Sequence, residues 1–155
     1  MFFVKIIDIK TDFNYLKEYV KLCYLEWSNK EKNLDQYVEY KISKILNEDK
    51  VISILGLVDD KNLIGFISLF KYDGDERCDL SPWYATMYVK KEYRGNGYSK
   101  VLNDAILRKA KKLGYKKVYL KSDLVNYYEK FGAIYIDKLK NGENLYYIEL
   151  DDKIF

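Results

Sequence analysis

Apolar and polar positions alternate along the chain with periods that switch between those of strands and helices. Met1 to Ile9 reads as a strand. Thr11 or Asp12 is placed to cap a helix with Leu16, Tyr19, Val20, Cys23 and Trp27 on one stripe, since steps of three and four residues return to the same face. A second amphipathic helix turns Leu34, Tyr37, Val38, Ile42 and Ile45 inward. The apolar runs Val51 to Val58 and Leu63 to Phe70, joined by Asp59-Asp60-Lys61-Asn62, predict a hairpin. A charged loop, Asp73 to Arg77, leads to a strand around Tyr84 to Val89. Tyr98 to Leu113 is the most regular helix, burying Leu102, Ala105, Ile106, Ala110 and Leu113 and ending at Gly114. A strand at Lys117 to Leu120 and a short helix from about Leu124 to Phe131, stopped by Gly132, come next. The strands Ala133 to Ile136 and Leu145 to Leu150 close the chain around an Asn141-Gly142 hairpin signal. The order β-α-α-β-β-β-α-β-α-β-β predicts an α/β (α+β) fold, a mixed sheet with helices laid on it and not a doubly wound nucleotide fold.

Composition narrows the chemistry. At 155 residues, without a Pro/Ser/Gly-rich linker, residues 1–155 read as one domain. The chain is 48% hydrophobic and 33% charged, which argues against wholesale disorder. It contains no histidine, which removes Ser-His-Asp and Cys-His hydrolases, imidazole acid–base chemistry and the common zinc sites. Cys23 and Cys78 are too far apart for a Cys-x-x-Cys motif and too few for a disulfide scaffold. The net charge of +3 is too slight to argue for nucleic acid. The cluster Lys109, Lys111, Lys112, Lys116 and Lys117 falls at a helix end, where cations complement the carbonyl dipole. No apolar stretch approaches the roughly 20 residues of a bilayer span. Lys5 and Asp8 come too early for a signal peptide. The expectation is a cytoplasmic protein without membrane, nucleic-acid or metal partners.

The stretch Met87 to Lys100 carries the most information. A strand runs into Gly95 and Gly97, and a strong helix starts immediately after them. Glycines allow positive φ and leave main-chain amides bare, and the first turn of a helix adds unpaired N–H groups and a positive dipole end. Such a junction suits a diphosphate, with Arg94 adding charge. The spacing fits neither a P-loop nor a dinucleotide fingerprint: Gly-Lys-Ser/Thr is absent, and position 100 is Lys where a third glycine is needed. A tight strand-to-helix turn with no ligand explains Gly-Asn-Gly equally well.

Val89-x-x-x-x-Arg94-x-x-Gly97-x-Ser99 resembles the Arg/Gln-x-x-Gly-x-Gly/Ala acetyl-CoA loop of GNAT-superfamily N-acetyltransferases. Ser122 to Gly132, ending Tyr128-Glu129-Lys130-Phe131-Gly132, is similar to that family's second cofactor motif. Asp79-Leu80-Ser81-Pro82-Trp83 resembles a subgroup of its bacterial members. Ser99 stands where Gly or Ala is usual, Lys91 where proline is frequent, and Ala133 where an aromatic is common. None of these removes a needed donor.

The resemblance implies a mostly antiparallel seven-stranded sheet flanked by about four helices and splayed between the fourth and fifth strands. It implies that acetyl-CoA is the co-substrate, held by Arg94, Gly95, Asn96, Gly97, Tyr98 and Ser99 at the diphosphate. Met87, Tyr88 and Val89 would pair with the pantetheine arm, a main-chain N–H near Met87 or Tyr88 would polarise the thioester, and Asn126 would bond the arm. Tyr128 matches the family's tyrosine acid, which protonates the departing thiolate; otherwise it is one of 17 tyrosines packing the chain. The acceptor is a primary amine on a small molecule or peptide, and a homodimer is one assembly the reading allows. Asp79, Glu76, Asp75 and Glu26 are candidate general bases, Asp79 standing closest to the fourth strand. Trp27 and Trp83 would pack the core or line the acceptor pocket. Cys78 has no basic neighbour in sequence to make it a nucleophile. The competing reading is a catalytically silent acyl-CoA-binding module on the same fold.

Overall fold

A computed structural model describes residues 3–154; Met1, Phe2 and Phe155 lie outside the described residues, and with them the start of the expected first strand. Seven strands form one sheet: β1 (Val4–Asp8), β2 (Val51–Asp59), β3 (Asn62–Phe70), β4 (Trp83–Val89), β5 (Lys117–Ser122), β6 (Ile134–Lys138) and β7 (Asn144–Glu149). Their spatial order is β1-β2-β3-β4-β5-β7-β6. Every neighbouring pair is antiparallel except β4 and β5, which run parallel. Among the described residues, three α-helices cover the sheet: α1 (Phe13–Trp27), α2 (Leu34–Asn47) and α3 (Tyr98–Lys112).

Local signals explain most boundaries. Asp12 accepts a hydrogen bond from the Tyr15 amide and caps α1, and Asn33 does the same for α2 through the Gln36 amide. The β2–β3 hairpin turns at Asp60, at φ 53, and the β6–β7 hairpin at Gly142, at φ 93. β2 and β3 are buried on both faces, hence their nearly unbroken apolar sequences. Leu55, Leu57, Ile64, Ile67 and Leu69 pack toward Leu102 and Ile106 of α3. Ile54, Val58, Leu63 and Phe66 pack toward Leu16 and Val20 of α1 and Ile42 of α2.

Three expectations are corrected. Leu113, expected on the buried stripe of α3, is the residue after the helix end and is exposed. The helix expected over Leu124 to Phe131 is only a 3₁₀ turn at Tyr128–Phe131, leaving three α-helices where about four were expected. Asn126 adopts φ 58, a left-handed conformation that stops a right-handed helix, and Ser122 Oγ accepts the Leu124 amide in a local turn instead. Trp27 is not core: it is 50% exposed, whereas Trp83 is 1% exposed. Tyr24 takes the buried place near the end of α1, while Trp27 lies edge-on to Phe66 of β3 and Tyr88 of β4, at 6.4 and 6.2 Å between ring centres, with its outer side open.

Among the described residues, no helix is long and apolar enough to cross a membrane.

Candidate active site

β4 and β5 share one paired position, Trp83 with Tyr119, at the start of β4. Parallel strands joined only at their beginnings diverge toward their ends, so the sheet opens beside Met87 to Val89 and beside the segment after β5. The β3–β4 ladder is also irregular here. Ser68 pairs with Ala85 and Phe66 with Tyr88, so Ile67 alone faces Thr86 and Met87. At this bulge Thr86 stands at φ 51, a region a β-branched residue rarely occupies. Such an extra residue leaves main-chain groups outside the ladder. The Thr86 hydroxyl donates to Ser68 Oγ, and the Tyr19 hydroxyl shares a 2.9 Å hydrogen bond with the same Ser68 oxygen.

A cavity of about 450 Å³ opens at the split. One wall is Met87, Tyr88 and Val89; the other is Arg94, Gly95, Gly97, Tyr98 and Ser99. Gly95 and Gly97 have φ of 83° and 78°, and a Cβ on either would meet nothing within 4 Å. Gly97 is the N-cap of α3 and offers no side-chain acceptor, so the first-turn amides of the helix are unpartnered at the cavity floor. Bare amides, a positive dipole end and a nearby arginine form the donor set a diphosphate requires. Arg94 is anchored by donating Nε to the Val89 carbonyl at 2.8 Å, and its guanidinium lies 5.7 Å from the Tyr88 ring centre. Asn96 does not line the cavity: its amide group donates to the Tyr93 and Arg94 carbonyls and holds the loop in shape.

α1 and the segment after β5 complete the rim through Glu26, Trp27 and Tyr127. Tyr128, the expected acid, is next to that rim, its ring centre 4.8 Å from that of Tyr127 and 6.0 Å from that of Tyr84. Burial, helped by Tyr127, pushes its phenol up to about 12, so it carries its proton at neutral pH. The Tyr84 hydroxyl is already committed, donating to Asn103 Oδ1 at 2.9 Å. Asn126 is in the turn just before Tyr127 and does not line the cavity.

Asp79 is not brought to this site. It precedes the start of β4, while the cavity is lined by Met87 to Val89 at the end of that strand, beginning four residues or about 13 Å beyond its start at roughly 3.3 Å per residue. Arg77 grips both its oxygens, Nε at 3.0 Å and the terminal nitrogen at 3.1 Å. That hydrogen-bonded guanidinium holds its carboxyl below the usual carboxylate range. Glu76 is also engaged elsewhere, accepting the Lys140 amide. Of the four carboxylates considered from sequence, Glu26 alone borders the cavity. Trp27, one of the two tryptophans considered for a pocket wall, joins it, as do Tyr93 and Tyr127, which lie within the two motif stretches but were not singled out as site residues.

Residues 14–133 match the profile of the Acetyltransferase (GNAT) family. Among solved structures, an aminoglycoside 6'-N-acetyltransferase complexed with coenzyme A is similar at 17% identity and a TM-score of 0.73, over 95% of this chain and 97% of that one. The Salmonella typhimurium protein yncA, solved with its cofactor acetyl-CoA, gives 14% and 0.67 over 96% and 95%. The PaiA N-acetyltransferase of Thermoplasma acidophilum, in complex with coenzyme A, gives 19% and 0.63 over 95% and 99%. No curated protein matches by sequence.

Proposed function

The chain belongs to the GNAT family of acetyltransferases, and from that membership we propose that it moves an acetyl group from acetyl-CoA to a primary amine by direct attack. The observation that carries this reading is the helix start of α3, capped by a left-handed glycine with no side-chain partner and facing the free end of β4 across a cavity. Acetyl-CoA supplies the activated thioester and a diphosphate by which it can be held.

The amides from Arg94 through Ser99 bind the diphosphate, with Arg94 adding charge. Met87 to Val89 present main-chain groups to the pantetheine arm as an added strand would receive them. A main-chain N–H at Met87 or Tyr88 polarises the thioester carbonyl; one such donor is worth roughly 2.7–4 kcal/mol in other enzymes. Glu26 takes a proton from the incoming ammonium, directly or through water. The amine nitrogen forms the new C–N bond as the C–S bond breaks, and its second proton leaves to solvent. Tyr128 donates its phenolic proton to the departing sulfur and is reprotonated from solvent.

Tyr127, which lines the cavity where Tyr128 does not, favours one second reading, a module that holds acyl-CoA without turning it over. Thiol release from acetyl-CoA with a panel of primary amines distinguishes the two, alongside the thermal shift produced by coenzyme A. Transfer predicts both signals, and silent binding only the shift. Neither signal would overturn the reading of the cavity itself.

A further inference from the structure

A second cavity, of about 240 Å³, lies under α1 and α2 against the same sheet. Trp27 lines both cavities, and Thr86, which borders the second, is followed directly by Met87 of the first. This end therefore meets the place where the thioester would be. The opposite end is defined by Lys41, Ile45, Val51 and Phe70, all shared with a third, outer cavity and none with the first.

The lining is apolar apart from Tyr19, Cys23, Tyr37, Thr86 and Lys41. Burial pushes the Cys23 thiol up to about 12 and raises the Tyr19 and Tyr37 phenols, so none of them is negative at neutral pH. No carboxylate lines this cavity; Glu48 and Asp73 border the outer one. Lys41 is therefore its one charged lining group. Its ammonium lies 5.7 Å from the Tyr37 ring centre, and among the described residues it forms no ion pair. A half-buried lysine without an acidic partner is uncommon, since desolvation costs the charge part of its hydration.

We infer that this cavity receives the acceptor, and that the acceptor is a primary amine with a short apolar body and a carboxylate at the end remote from the amine. The inference rests on the acetyltransferase reading above. The amine points past Trp27 and Thr86 toward the thioester, the body fills the apolar lining, and the carboxylate meets Lys41. A polycationic amine is disfavoured, because its second ammonium would face Lys41 with no acid to receive it.

Three amines that share a six-carbon chain test this: 6-aminohexanoate, hexylamine and 1,6-diaminohexane. The expected order of kcat/KM is that order, with 6-aminohexanoate ahead of the diamine by at least about tenfold, the scale of one charge-assisted contact. Lys41→Gln should erase the ranking, Lys41→Arg keep it, and Lys41→Glu turn it toward the diamine, with melting temperatures checking that each variant is folded. Equal rates for all three amines, or a ranking unmoved by Lys41→Gln, overturns the inference and leaves the transferase reading standing. If coenzyme A binds but no amine is acetylated, calorimetry with 6-aminohexanoate decides, and absence of binding overturns the inference. If coenzyme A produces no thermal shift, the transferase reading fails and this inference with it.

Discussion

Tyr128 and Tyr127 are adjacent residues with different surroundings. Tyr128 packs beside Tyr84 and has its phenol raised to about 12, whereas Tyr127 lines the cavity. If Tyr128 supplies the proton to sulfur, Tyr128→Phe should lower kcat by about 10²–10⁴, the usual worth of a general acid, and barely change the KM for acetyl-CoA. Tyr127→Phe keeps a ring at the rim and should leave kcat within a few-fold. A reversal of these effects in steady-state kinetics would transfer the role to Tyr127. Glu26→Gln should depress kcat/KM for the amine most at low pH, where less of the amine is already free of its proton. A pH–rate curve identical to that of the unaltered chain would remove Glu26 as the base. Asp79, held by Arg77 at the other end of β4, should be replaceable by Asn without loss of turnover.

The elements that frame the cavity are β4, the glycine loop and the start of α3, and two glycines test them in different ways. At Gly97 a Cβ meets nothing, so Gly97→Ala suffers chiefly left-handed backbone strain, about 1–2 kcal/mol. Gly97→Trp adds bulk at the cavity floor and should abolish the thermal shift given by coenzyme A. An undiminished shift would put the cofactor elsewhere. Gly65 in β3 is different: a Cβ there would collide with the Tyr88 carbonyl oxygen and come within 3.1 Å of the Val89 Cα. Gly65→Ala should therefore cost about 1–3 kcal/mol by overpacking. It should also raise the KM for acetyl-CoA, because the end of β4 must move. Chemical denaturation and kinetics on one preparation check both effects.

For the molecule as a whole, several groups keep their protons longer when folded than when unfolded. Burial raises Cys23 from 9.0 to about 12 and Tyr128 from 10.0 to about 12, and it raises Tyr19 and Tyr84 as well. The folded state then binds more protons across that window, so stability falls as pH rises. The melting temperature should lose nothing to these groups below pH 9 and fall progressively toward pH 12. Cys23→Ala should move the onset from about pH 9 toward pH 10, where the phenols begin to act. A melting temperature that stays level through pH 11.5 would mean that water reaches these groups in the folded chain.

Much of this molecule could be read locally. The stripes of α1 and α2, the apolar runs of β2 and β3, the Gly114 stop and both hairpins follow from patterns within a few residues, which periodicity and turn chemistry report directly. The glycine loop was legible for the same reason: a strand, two glycines and a helix start are consecutive. The break at Asn126 was not, because the spacing from Leu124 to Phe131 suits a helix and one left-handed residue undoes it. Nor was the site's wider membership. Trp27 lies on the predicted stripe of α1, yet it packs edge-on to Phe66 and Tyr88 at the rim of the sheet and walls two cavities. Asp79 is near β4 in sequence and far from the cavity because a strand carries its two ends apart. Local order thus determined the elements and the glycine loop that opens α3. Tertiary packing alone decided that Glu26 and not Asp79 reaches the opening and that Lys41 borders a cavity without acids, since each depends on residues brought together from distant parts of the chain.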